Sequence, residues 1–291
     1  MSKSLKVIVL LLLTGATPAI AQSEVKEQLI IPLTDPGKPG SLDVGLITGS
    51  VHVVGYTGKD VVIDAVAGGN RRNGAENGRV DNRNTNRNDN RNTNRDDESG
   101  MKRIPTGNSM DLSAEEKNNR VHVSTGMINK PITLTIKVPY RFSLKLSTVN
   151  SGDITVDNVT GELEINNVNG AITLTNISGS AVAHTINGEL KATFREVDNN
   201  TPMAFSTLNN RVDVTFPASV RANVKLKSDR GDIFSDFDIA IDKKQPQATR
   251  SNQSGMYRVT IEDWVYGKIN GGGPEVMMKS MNGSIYVRKA K

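Results

Sequence analysis

The chain has 291 residues, 36% hydrophobic and 4% aromatic, with 26 glycines, one tryptophan and no cysteine. The missing cysteine excludes disulfides, thiolate metal sites and a lipid-anchored N-terminal cysteine. Few aromatics beside many glycines suit short stacked strands and turns rather than large packed helices. The formal charge of +5, falling to +3 once a leader carrying Lys3 and Lys6 is removed, is too small and scattered for a nucleic-acid partner.

Met1 to Ala21 reads as a secretory signal peptide. Lys3 and Lys6 form the charged start, Val7 to Leu13 the apolar run, and Ala19-Ile20-Ala21 the small-x-small cleavage site. The run is too short to span a bilayer. Residues 22–67 then supply N-terminal strands of a β domain. Gln28 to Leu33 is an apolar run closed by a Pro- and Gly-rich turn, Thr34 to Gly40. Ile47 to Val53 (ITGSVHV) starts a repeat, with Gly58 nine residues after Gly49, and Val61 to Ala65 is the next strand.

Residues 68–100 break the pattern. Asn, Arg, Asp and Gly dominate, and Val80 is the only large apolar side chain. Such a composition cannot offset its own ordering entropy and is expected to be a disordered insertion. Its Arg charge is nearly cancelled by Asp and Glu, so a spacer fits better than an anion-binding surface.

Residues 101–291 form a β-strand-repeat domain. Asp111 to Asn119 is expected to make one helical turn, with Ser113 capping and Glu116 three residues on. Strands follow at Arg120 to Ser124, Ile132 to Val138 and Phe142 to Thr148, with a turn at Pro139. From Ser147 to Phe194 the order is strict. Gly152, Gly161, Gly170, Gly179 and Gly188 are nine residues apart. Val159, Val168, Ile177 and Ile186 each stand two residues before one of the last four. The second and fourth residues after each glycine share a strand face and are apolar: Ile154/Val156, Leu163/Ile165, Ile172/Leu174, Ala181/Ala183 and Leu190/Ala192. Asn-Gly alternates with Thr-Gly or Ser-Gly, so the unit is eighteen residues with two strands per coil. Glu196 to Pro202 interrupts the period. It resumes through Phe205 to Phe216, Val220 to Leu226 and Gly231 to Phe234, crosses a polar loop at Asp242 to Gly255, and continues at Tyr257 to Glu262. The chain closes on Lys268 to Pro274 and Met281 to Val287.

The expected fold is all-β: a single-stranded β-solenoid or β-roll-like stack of short strands, in which neighbouring coils share one core. An antiparallel β meander or sandwich is the alternative, because Asn-Gly is also a strong hairpin signal. Asn158, Asn167 and Asn176, each two residues past a strand, read as turn formers.

LKLSTVNSGDITVDNVTGELEINNVNG (Leu144 to Gly170) and GKINGGGPEVMMKSMNGSIYV (Gly267 to Val287) resemble a bacterial family of exported adhesin-like proteins. That family is built from repeated β-strands, is of unknown function, and lies close to the head-GIN adhesin-like group. The likeness runs over about Gly45 to Val66 and Arg120 to Val287. It implies a β-solenoid-like exported protein, and it brings no catalytic residues.

No catalytic, cofactor-binding or metal-binding residue is expected. Nonapeptide calcium rolls place Asp two residues after the last glycine of the unit, where this chain has Leu163, Ile172, Ala181 and Leu190. His52, His122 and His184 lack metal-ligand spacing, and no nucleophile elbow occurs. Arg230-Gly231-Asp232 follows from the repeat, which also produces Gly152-Asp153-Ile154. Asp153, Glu162, Glu164 and Glu189 read as a solvated strand face rather than a hydrolase's acids. The expected function is an exported, non-enzymatic adhesin-like or scaffolding protein of the bacterial cell envelope, surface-bound or periplasmic, whose partner is an envelope or host glycan or protein. The mature chain carries no transmembrane segment. The alternatives are an envelope-stress or regulatory partner-binding protein and a glycan-cleaving β-helix enzyme.

Overall fold

The nine-residue glycine period resolves into the two corners of a parallel β-solenoid. A computed structural model describes residues 25–67, 111–126, 131–242, 248–253, 256–261 and 263–291. The leader, the whole Asn/Arg-rich insertion and part of the Asp242 to Gly255 loop lie outside them.

In chain order the strands are β1 (Val25–Pro32), β2 (Gly40–Tyr56), β3 (Asp60–Ala67), β4 (Leu112–Lys117), β5 (Arg120–Thr125), β6 (Ile132–Pro139) and β7 (Phe142–Asn150). Then come β8 (Ile154–Asp157), β9 (Thr160–Asn167), β10 (Ile172–Thr185), β11 (Leu190–Val197), β12 (Met203–Thr207) and β13 (Val212–Phe216). The last are β14 (Ala222–Ser228), β15 (Ile233–Ser235), β16 (Ala240–Asp242), β17 (Ala248–Gln253), β18 (Met256–Ile261), β19 (Val265–Ile269), β20 (Glu275–Ser280) and β21 (Ile285–Lys289).

Each coil puts one strand on a first face and the next on a second face. β2 and β10 are long because each turns a corner and serves both faces. Along the first face the parallel order is β5, β2, β7, β9, β10, β12, β20, β14. Along the second it is β6, β2, β8, β10, β11, β13, β21, β15. The pairing Ile154↔Ile172↔Leu190 steps by eighteen residues, the expected coil. Parallel pairing throughout the stack removes the meander.

Antiparallel strands cover the ends. β4 closes the first face, and β3 followed by β1 closes the second. At the far end β19 pairs with β14 and β16 pairs with β19. β17 and β18 form a separate hairpin, so part of the expected polar loop is strand.

Two coils are out of chain order. β2 lies between the β5–β6 coil and the β7–β8 coil, although it precedes both in sequence. The C-terminal β20–β21 coil lies between β12–β13 and β14–β15. Both pieces therefore gain a neighbour on each side, which an end coil lacks.

The interior follows from period-two alternation. All ten expected inward residues, from Ile154 to Ala192, are buried. Phe194, Phe205 and Phe216 fill the wider coils, with ring centroids 5.3–6.5 Å apart. The residues preceding the glycines divide by corner: Val159 and Ile177 are fully buried, while Val168 and Ile186 are half-buried.

Three local expectations change. Asp111 to Asn119 is not helical: β4 pairs with β5 through a turn at Asn118 and Asn119, both left-handed (φ 53° and 62°). Ser113 faces Ser124 at 2.8 Å instead of capping. Glu116 accepts from the Thr34 and Asn119 backbone N–H groups at 3.1 and 2.8 Å, fastening the turn after β1 to this hairpin. Asn158 and Asn176 are left-handed turn residues (φ 58° and 52°), as expected. Asn167 is instead interior, 2% exposed, donating to the Gly152 carbonyl at 2.8 Å and accepting from Thr148 at 2.9 Å.

Asn167 belongs to a column of buried and half-buried polar residues at one corner. Thr185 donates to the Gly170 carbonyl, Thr207 to Gly188, Ser280 to Asn210 and Ser228 to Gly283, all at 2.8–2.9 Å. Each corner carbonyl thereby gains a partner away from water. Outside it runs an asparagine ladder: Asn187 donates to Asn169, Asn209 to Asn187 and Asn282 to Asn209. The Asn-Gly pairs thus make corners of parallel coils, stacked on one another, rather than hairpins.

Candidate binding face

The outward residues of the first face line up across coils, because parallel register places like positions side by side. One row runs Glu115, His122, Asp43, Lys145, Glu164 on β4, β5, β2, β7 and β9. Along it acidic side chains alternate with basic ones. His122 approaches Asp43 at 3.5 Å and Lys145 approaches Glu164 at 3.2 Å. The neighbouring row carries Arg120, Ser41, Ser143 and Glu162, with the Glu162 N–H donating to Ser143 at 3.2 Å. All of these residues except Glu115 line an open groove of about 780 Å³.

The chemistry of this groove is that of a wet binding surface. Its ion pairs are more than half exposed, so each adds little stability. They remain available to exchange partners.

Further along the same face the rows lose their acids. Val182, Ala204 and Met277 lead to Lys225 and Tyr266, while His184 and Ser206 lead to Lys279 and Lys227. His184 Nδ1 lies 2.8 Å from Ser206 Oγ.

The four acids weighed from sequence do not form one row. Glu162 and Glu164 stand together on β9 in the groove. Asp153 and Glu189 lie at the corner, where Asp153 accepts from the Ala171 N–H at 2.7 Å and Glu189 pairs with Arg211 at 2.7 Å. That carboxylate holds the Arg211 guanidinium above its usual range. His52 lies on the second face, 2.9 Å from Asp157. The three histidines are not brought together, and no group of His, Cys, Asp and Glu among the described residues could hold a metal ion. Arg230 and Asp232 are exposed at the corner after β14, with Gly231 packed against Gly283. Among the described residues no helix is long and apolar enough to cross a membrane.

Sequence reasoning passed over Asp43, Lys145 and the lysines of β14 and β20. Alternation marks each as outward-facing, but nothing local shows that β2 enters between β5 and β7.

The parallel coils with stacked Gly-rich corners have a counterpart among known families. Residues 142–264 match the Toastrack DUF4097 family. The matched segment begins at the first residue of β7 and stops before β19, so both out-of-order coils lie beyond it. Two solved structures are similar to the chain. One is a "putative cell adhesion protein" from Clostridium sporogenes ATCC 15579, 12% identical, covering 92% of this chain and 100% of its own, with a TM-score of 0.47. The other is a "putative adhesin" from Bacteroides fragilis NCTC 9343, 11% identical, covering 93% and 98%, with a TM-score of 0.38. Neither carries a residue role to this chain. No curated protein matches it.

Proposed function

We propose that this protein is an exported, non-enzymatic adhesin-like or scaffolding module of the bacterial cell envelope that grips an extended partner across the first face. The observation that carries the reading is the alternating row His122, Asp43, Lys145, Glu164 lining an open groove. An open, exposed groove suits a partner laid across several strands. An enclosed, desolvated pocket of the kind that shifts catalytic groups would suit turnover. The leader at Met1 to Ala21 supports export, and the Toastrack match supports a β-repeat scaffold without an assigned reaction.

The test is protease shaving of intact cells combined with a groove variant. Release of the protein from intact cells, together with weaker partner retention by Lys145→Glu/Glu164→Lys, is the expected result. The charge swap keeps the internal pair but inverts it, so folding is retained while complementarity is lost. Full protection on intact cells, lost on permeabilisation, would favour a periplasmic partner-binding role instead. Turnover of a polysaccharide abolished by Glu162→Gln would overturn the non-enzymatic reading.

A further inference from the structure

At the far end of the first face three ammonium groups converge on one indole ring. Lys225 Nζ lies 4.6 Å from the centroid of Trp264, Lys227 Nζ 5.7 Å and Lys279 Nζ 6.0 Å. Lys225 Nζ is also 6.0 Å from the ring of Tyr266. The lysines come from two adjacent parallel strands, and Lys227 stands directly opposite Lys279. Like charges directly opposite one another across a strand pair repel.

Among the described residues, the surroundings offset part of that repulsion. The faces of Trp264 and Tyr266 attract cations. Asp229 approaches Lys227 at 3.5 Å, Asp242 stands opposite Tyr266 on β16, and Lys268 and Glu275 flank Asn223 one row away. Lys227 is only 16% exposed at its side chain, so its charge is poorly hydrated as well as crowded. Lys279 is exposed. An anion laid against these ammonium groups would relieve both costs, and the aromatic rings supply an apolar base for its carbon skeleton.

We infer that the Lys225, Lys227, Lys279 and Trp264 cluster is a binding site for an anionic saccharide, a sugar chain bearing carboxylate or sulfate groups. Charge supplies the attraction, and the flat indole beside it suits the C–H face of a pyranose ring. A free inorganic anion would use the lysines and leave the rings idle. This inference deepens the proposed binding role by naming a ligand class for the opposite end of the same face, away from the groove.

Trp264 is the chain's single tryptophan, so its emission reports on this place alone. The experiment titrates the full-length exported protein with oligogalacturonate and with heparin oligosaccharides, using neutral dextran as control and phosphatidylglycerol vesicles as a second arm. The expected result is a saturable change in Trp264 emission with one of the anionic saccharides and none with dextran. Affinity should fall about tenfold or more in Lys225→Gln/Lys279→Gln, and should weaken with added salt as screening demands. In the groove variant Lys145→Glu/Glu164→Lys it should hold, which separates this site from the groove. An emission change only with vesicles would replace the saccharide by a lipid surface and overturn the inference. So would unchanged affinity in the double-lysine variant, or no response to either saccharide at millimolar concentration.

Discussion

Gly170 sits directly over the carbonyl of Gly152: a Cβ at position 170 would lie 1.9 Å from that oxygen. The same contact recurs along the corner, at 1.7 Å from Gly152 to the Gly49 carbonyl and 1.8 Å from Gly188 to that of Gly170. Stacked coils bring backbone onto backbone here, and only hydrogen fits between. Gly170→Ala should therefore destabilise the protein by about 1–3 kcal/mol, the usual cost of overpacking, with the upper end expected because the neighbour is rigid backbone. Gly45→Ala should be nearly neutral, since its Cβ would lie 3.4 Å from Ser147 Oγ. Urea midpoints of the two variants check the contrast.

The asparagine ladder makes a smaller prediction. Asn187 both donates to Asn169 and accepts from Asn209. Asn187→Ala breaks both bonds in an exposed column and should cost about 1 kcal/mol. Asn166→Ala, on the exposed outer side of β9 away from the ladder, should change the urea midpoint far less.

Acid should weaken the N-terminal clasp. The Thr34 backbone N–H, and then that of Asn119, hold the Glu116 carboxyl below its ordinary value of 4.5. A carboxylate depressed on folding stabilises the fold fully above that ordinary value. Its contribution fades as pH falls through 4.5 and toward the lower folded-state value. Melting temperatures measured across that range should fall less steeply with acid in Glu116→Gln than in the parent. Identical slopes would remove Glu116 from the acid response.

Buried charge gives the fourth prediction. Asp213 is 6% exposed and pairs with Arg288 Nε at 2.7 Å, which holds that guanidinium above its usual range. Arg288→Gln leaves a buried carboxylate without its cation and should cost about 1–3 kcal/mol. Adding Asp213→Asn should recover part of the loss. A double-mutant cycle in urea measures that coupling, and strictly additive costs would show the pair to be uncoupled.

The Asn/Arg-rich segment gives the last. β3 ends with Ala67 opposite Ile132, and β4 begins with Leu112 opposite Thr125. The described chain thus breaks off beside the start of β6 and resumes beside the end of β5. Replacing residues 70–99 by a short Gly/Ser linker should leave the melting temperature within a few degrees, and limited proteolysis of the parent should cut first within those arginines. A large loss of stability on deletion would assign that segment a structural role.

The sequence by itself determined the repeat. Gly152, Gly170 and Gly188 announce one corner, Gly161 and Gly179 the other, and the ten inward residues from Ile154 to Ala192 follow from alternation alone. These are local properties, set by which φ/ψ values and side-chain directions a residue allows. Only the tertiary structure decided what stacks on what. Val51 pairs with Leu134 and Ile154, and Val276 with Met203 and Val224. The out-of-order coils therefore carry the same alternating pattern as any other, and nothing local marks their place. The binding face shares that origin. The alternating charges of the groove and the lysines over Trp264 are far apart in the chain, and parallel register alone places them in rows. Asn167 shows the same limit at one residue: its chemistry suits a turn, yet the carbonyls of Gly152 and Ala171 at that corner accept from its amide and hold it inside.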